Sequence, residues 1–264
     1  MAKKTELNAH ARNYIQAVFE ERLRASGFSC PDDKLLCWYR LMGGEVMNSI
    51  IFVSSFSSLP LHLDIRYGIY PVFEKSLKIP GVKYNESVFT DQERFARQSI
   101  LEDRPVNAQC YTPYSAEIEV YAPKYGGKGI FTLDQILLPL MDGIQTINQV
   151  YEHHKRNTYN HVVWSDSGQI YRHLSLQFIR MALYIGDSEV YPHAIASAEN
   201  TIRILNEICL RHPDKLEYRL PLEEWNTIHN VLIQKTYEEY REVLEQRQYE
   251  NLKRLKKDCG ILTE

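Results

Sequence analysis

At 264 residues, with 44% hydrophobic and 25% charged side chains, the chain carries enough apolar material to offset the entropy of ordering one large or two modest lobes, which excludes a disordered chain or a miniature fold built on metal or disulfides. A formal net charge of -3 leaves no global positive excess for releasing counterions from a phosphate backbone, so no nucleic-acid partner is expected. No apolar run approaches the roughly 20 residues that span a bilayer and residues 1–20 hold no signal-like apolar stretch, so the sequence reads as cytoplasmic with no membrane partner.

Residues 11–26 repeat apolar positions at three- and four-residue steps (Ala11, Tyr14, Ile15, Val18, Phe19, Leu23), which predicts an amphipathic helix. Gly27 supplies its stop, and Phe28 folds back over the last turn. The period then shortens. Residues 35–42 and 46–56 are aromatic and β-branched, with Gly43-Gly44 as a hairpin turn between them. In the next run Leu61, Leu63, Ile65, Tyr67 and Ile69 alternate with His62, Asp64, Arg66 and Gly68. Such alternation predicts a half-buried strand with one wet face.

Residues 71–113 are punctuated by proline and glycine, with one helical patch over 92–101. Ala116, Ile118 and Val120 alternate with Glu117, Glu119 and Tyr121, giving a fourth strand that Pro123 ends. Thr132-Leu133-Asp134-Gln135 is a capping box opening a long helix with a kink at Pro139. Its buried stripe is Ile136, Leu137, Leu140, Met141, Ile144, Ile147 and Tyr151. Further helices are predicted over 168–185, over 192–211, and from Leu222 to about Lys257. The fold class is therefore α+β: an N-terminal antiparallel sheet with a packed helix, then a C-terminal helical bundle with a long last helix. The lobes divide as residues 1–125 and 126–264, either separate or around one continuous core.

The last helix carries acidic residues at its start and basic ones at its end, in accord with the helix dipole, and sustains no heptad seam. Its distal half is expected to project or to meet a protein partner, and truncation after Tyr240 is expected to leave the remainder folded.

Residues 14–28, Trp38-Tyr39-Arg40, 50–56 and 63–70 together resemble a bacterial family of uncharacterised domains that open with an amphipathic helix, a Gly-Phe stop and an antiparallel meander. The resemblance implies a fold and transfers no catalytic residue.

Gly126-Gly127-Lys128-Gly129 precedes a helix start, where backbone N–H groups favour anions, yet the spacing is not that of a P-loop and an interlobe hinge is the plainer reading. Histidines gather at His153, His154, His161, His173 and His193, but adjacent helical histidines diverge by about 100° and make poor joint metal ligands. Residues 152–157 read instead as a polar helix end. Ser165-Asp166-Ser167-Gly168 reads as a capped helix start rather than a nucleophile elbow. The five cysteines are widely spaced, so they are expected to be dispensable thiols, with no metal or cofactor bound.

The best candidate ligand site is the face of His62, Asp64 and Arg66; strand order decides whether Glu117 and Glu119 adjoin it. Such a set suits a polar ligand or acid-base chemistry, while a solvated face with cross-strand ion pairs needs the same residue types. With 18 tyrosines and no recognised catalytic motif, the sequence favours a non-catalytic binding or regulatory protein. The alternative is an enzyme of unrecognised type with a polar site on the sheet face or in the interlobe groove.

Overall fold

The computed structural model describes residues 12–13, 15–30, 37–55, 61–74, 109–112, 130, 133–158, 162–164, 170–172, 174–214 and 216–259. Helix α1 comprises a wide π-type turn, Gln16–Glu20, continued in α form by Glu21–Ala25. It ends as the Gly-Phe pair predicts. Gly27 adopts φ +79°, its N–H donates to the Arg24 carbonyl, and the Phe28 N–H reaches back to the Leu23 carbonyl at 2.9 Å. These two bonds form a Schellman motif, which satisfies carbonyls that the helix end leaves without partners.

Four antiparallel strands follow in the order β1 (Cys37–Met42), β2 (Val46–Ser55), β3 (Leu61–Pro71) and β4 (Gln109–Thr112). Gly43 and Gly44 both take positive φ and the Glu45 N–H donates to the Met42 carbonyl, as a two-glycine hairpin turn requires. The register pairs Arg40 with Asn48 and Ile50 with Tyr67. Trp38, Arg40, Asn48, Ile50, Phe52, Tyr67 and Ile69 therefore share one face. Helix α1 covers that face through Ile15, Phe19 and Leu23, each buried, with the Phe19 and Phe52 rings 5.0 Å apart.

The opposite face departs from expectation. Instead of one wet face along β3, its Gly68–Tyr70 end is buried: Tyr39, Met47, Tyr70 and Val72 join Leu255, with Leu41 and Leu252 packed against them. Gly68 is required here, because a Cβ at this position would meet the Tyr70 hydroxyl, which in turn accepts from Ser49 Oγ at 3.1 Å. The fourth strand is Gln109–Thr112. The runs over 92–101 and 116–121 lie outside the described residues.

Helix α2 is a π-type turn, Leu133–Leu137, followed by Leu138–Asp142. The predicted long helix does not merely kink at Pro139. Proline sits at the α-helical start, where a missing N–H costs little, and the chain turns at Gly143, whose N–H donates to the Pro139 carbonyl. A separate helix, α3 (Ile147–Thr158), begins beyond it.

The chain forms two compact units. One comprises residues 1–72, 76–146 and 251–264; the other comprises 73–75 and 147–250. The last helix is divided between them at residues 250 and 251, and the short segment 73–75 that follows β3 belongs to the helical unit. In the helical unit a hairpin, β5 (Val162–Trp164) and β6 (Ile170–Arg172), precedes α4 (Leu176–Ile185). A strand thus occupies Ile170–Arg172, where a helix was expected, and Ser175 caps α4 by accepting from the Phe178 N–H. Residues 165–168 lie outside the described residues.

A short 3-10 turn, Ser188–Val190, leads into α5 (Tyr191–Arg211), followed by α6 (Leu216–Gln234) and α7 (Tyr237–Cys259). The expected single helix from Leu222 is therefore two helices. They meet at Lys235, which takes φ +58°, while the Thr236 N–H closes back onto the Val231 carbonyl. The distal half of α7 does not project. Asn251 is 7% exposed and Leu255 fully buried, and Asn251 Nδ2 donates to the Val72 carbonyl at 2.7 Å.

Among the described residues no helix is long and apolar enough to cross a membrane.

Candidate functional site

On β3 the alternation of the strand backbone places His62, Asp64 and Arg66 on one face, successive members about 7 Å apart. β3 is an interior strand at this end, so the row has neighbours on both sides. The register sets His62 between Ser55 of β2 and Tyr111 of β4, and Asp64 between Val53 and Gln109; Arg66 lies opposite Ile51. A histidine, an aspartate, an arginine, a glutamine, a serine and a tyrosine thereby occupy adjacent register positions. Glu117 and Glu119 lie outside the described residues; the strand that pairs with β3 at His62 and Asp64 is Gln109–Thr112. The sequence carried a signal for that strand in Gln109-Cys110-Tyr111-Thr112 ended by Pro113, but the proline-rich surroundings obscured it.

The buried charges are concentrated in the helical unit, at positions the sequence reading passed over. Arg180 of α4 is 5% exposed and Glu74 2% exposed. Arg180 Nη1 donates to Glu74 Oε2 at 2.8 Å, and Nη2 donates to Glu224 Oε2 of α6 at 2.9 Å. Burial by itself favours the neutral guanidine, but Glu74, the Tyr240 hydroxyl and Glu224 overcome it and hold the Arg180 guanidinium more firmly protonated than usual. Burial also raises the Tyr240 phenol, with Arg180 opposing. The arrangement keeps its protons and joins α4, α6, α7 and the chain after β3. A detectable signal existed: Arg180 is the single charge in the apolar run LQFIRMALYI.

A second polar cluster ties α3 to the turn after α4. Asp187 Oδ2 accepts from the Tyr151 hydroxyl at 2.6 Å and from Lys155 Nζ at 2.5 Å, and Asp187 Oδ1 accepts from the Glu189 N–H. Burial pushes the Asp187 carboxyl upward, but the bonds from Lys155 and Tyr151 prevail and hold it below the usual range. Lys155 is raised by the same hydrogen bond, against the effect of its own burial. With Asp187 ionised and Lys155 protonated, neither is poised to exchange a proton near neutrality.

The expected polar helix end at residues 152–157 is only partly so. Lys155 and Arg156 do occupy the last turn of α3, where they complement the dipole. His154, however, is buried, and burial followed by the charge of His153 lowers its pKa to about 3. The adjacent rings stand edge to face at 5.8 Å, so they do not converge on a common point. Among the described residues, no group of three or more His, Cys, Asp and Glu is placed to hold a metal ion. Cys30 and Cys209 are both partly exposed. His161, His173 and the Gly126-Gly127-Lys128-Gly129 segment lie outside the described residues.

No protein-family model, no curated protein and no solved structure matches the chain.

Proposed function

We propose that the chain is a non-catalytic binding or regulatory protein of the cytoplasm, and that His62, Asp64 and Arg66 form the centre of its recognition surface. The observation that supports this reading is the register of β3, which sets the row between Ser55 and Tyr111 and between Val53 and Gln109. A strand with a histidine, an aspartate and an arginine at alternate positions suits a polar partner with complementary groups along an extended segment. The titratable clusters built around Arg180 and Asp187 are engaged internally and serve the fold in this reading. A protein partner meeting the last helix would use residues such as Val243 and Tyr249, exposed by 49% and 64%, rather than its distal end.

Native mass spectrometry of the protein recovered from its own cells tests the proposal. The wild type is expected to carry a stoichiometric protein or small molecule that H62A/D64A/R66A loses while retaining its circular dichroism spectrum. Retention of the bound species by that variant would place recognition elsewhere. Chemical conversion of the bound species during incubation, abolished in the variant, would favour an enzyme using the same row.

A further inference from the structure

We infer that Arg40 and Asn48 form a buried receptor for a small oxyanion, on the α1-covered face of the sheet and opposite the face that carries the His62 row. The two residues are direct cross-strand partners, which brings their Cβ atoms to about 5 Å. Asn48 is 0% exposed, and neither its Nδ2 nor its Oδ1 has a hydrogen-bond partner among the described residues. Arg40 is 8% exposed, and its two edges are used unequally. Nη1 donates to the Ser26 carbonyl at 3.0 Å and pairs with Asp142 Oδ1 at 2.8 Å. Nε and Nη2 have no hydrogen-bond partner among the described residues.

The N–H groups of Nε and Nη2 point in the same direction and form the side fork of a guanidinium, the edge that accepts two coplanar oxygens of a carboxylate or phosphate. The Arg40 guanidinium is held in place from other directions: it lies 4.7 Å from the centre of the Phe28 ring, and its Cδ would be 3.4 Å from a Cβ at Gly27. A fixed fork beside an amide with an unused N–H pair and one unused carbonyl offers an excess of donors around a buried positive charge. Asp142, the ionic partner of Arg40, is 59% exposed, so solvent screens much of its compensation. An anion with two or three oxygens satisfies the fork and the Asn48 amide together and supplies the missing negative charge. The burial of these atoms favours a small ligand, such as formate, acetate or inorganic phosphate. It also makes binding depend on transient opening of the helix-covered face.

The test is thermal unfolding and isothermal titration of the full chain with sodium formate, sodium acetate and sodium phosphate, with sodium chloride at matched ionic strength. At least one oxyanion is expected to bind saturably and to raise Tm by about 5 °C at a hundredfold excess over Kd. Formate and acetate against phosphate distinguish a carboxylate ligand from a phosphoryl one. Arg40→Lys keeps the charge but removes the fork, and Asn48→Leu removes the amide at similar volume; each is expected to weaken binding at least tenfold. The H62A/D64A/R66A protein is expected to bind the anion normally, which separates this site from the β3 row. An equal response to chloride, no response to any of the three oxyanions, or unchanged affinity in Asn48→Leu would overturn the inference and leave the polar atoms to be satisfied by water.

Discussion

Arg180 and Glu74 meet at 2.8 Å although 106 residues separate them in the chain, and both are almost wholly removed from solvent. Breaking a buried pair by removing one partner strands the other charge, at a cost of about 3–5 kcal/mol. Arg180→Met is expected to lower unfolding stability by that amount, measured by urea denaturation. Glu224→Gln is expected to cost less, because the Glu224 side chain is 25% exposed and water replaces part of its role. Equal, negligible effects of both substitutions would show that the network contributes little to stability.

Leu255 lies in the sheet core with Tyr39, Met47, Tyr70 and Val72. Leu255→Ala is expected to cost about 2–5 kcal/mol, as a large-to-small change at a fully buried site does. Truncation before Asn251 is expected to expose this cluster and destabilise the sheet unit severely, as seen by loss of amide protection in β1–β3. A truncated chain with intact protection would restore the view of the distal helix as dispensable.

The α+β class, the N-terminal helix with its Gly-Phe stop and the β1–β3 meander were legible because each is specified locally: apolar period, glycine at a positive-φ position, strand alternation. Errors arose where a distant segment decides the outcome. The Gly68–Tyr70 end of β3 reads as half-wet until Leu252 and Leu255, nearly two hundred residues later, cover it. The run Ile170, Leu174, Phe178, Met181 fits a helical period, yet Ile170 pairs with Trp164 in a hairpin, so tertiary pairing overrides a pattern that short. For the candidate site, the shared face of His62, Asp64 and Arg66 follows from alternation alone, whereas its neighbours depend on register, which composition does not specify.

Lys235 holds φ +58° at the end of α6, a left-handed position that costs an L-residue roughly 1–2 kcal/mol. Lys235→Gly is expected to stabilise the protein by about 0.5–1 kcal/mol, the relief being partly offset by the greater freedom of glycine in the unfolded chain. Lys235→Ala keeps the Cβ and is expected to give no such gain. Thermal unfolding of the two variants side by side checks the assignment.

His154 links stability to acid. Its folded pKa, about 3, lies below the ordinary value near 6.5, so the unfolded chain takes up the proton first. Stability associated with neutral His154 is fully present above about pH 6.5 and declines as pH falls toward 3, by on the order of 1.4 kcal/mol per unit across that window. Asp187 is also depressed, and its contribution is present above the unfolded carboxylate pKa and lost as pH falls through its folded value. Urea titrations between pH 7 and pH 5 isolate the histidine, and His154→Gln is expected to flatten the slope there. An unchanged slope would assign the acid sensitivity to another group.

Hydrogen exchange tests recognition at the β3 row most directly. With the species recovered from native protein added back to the purified chain, amides of residues 61–66 and 109–112 are expected to gain protection, while those of α1 remain unchanged. The same addition to H62A/D64A/R66A is expected to produce no gain. Protection gained only in the helical unit, or gained equally in the variant, would contradict a binding surface centred on His62, Asp64 and Arg66.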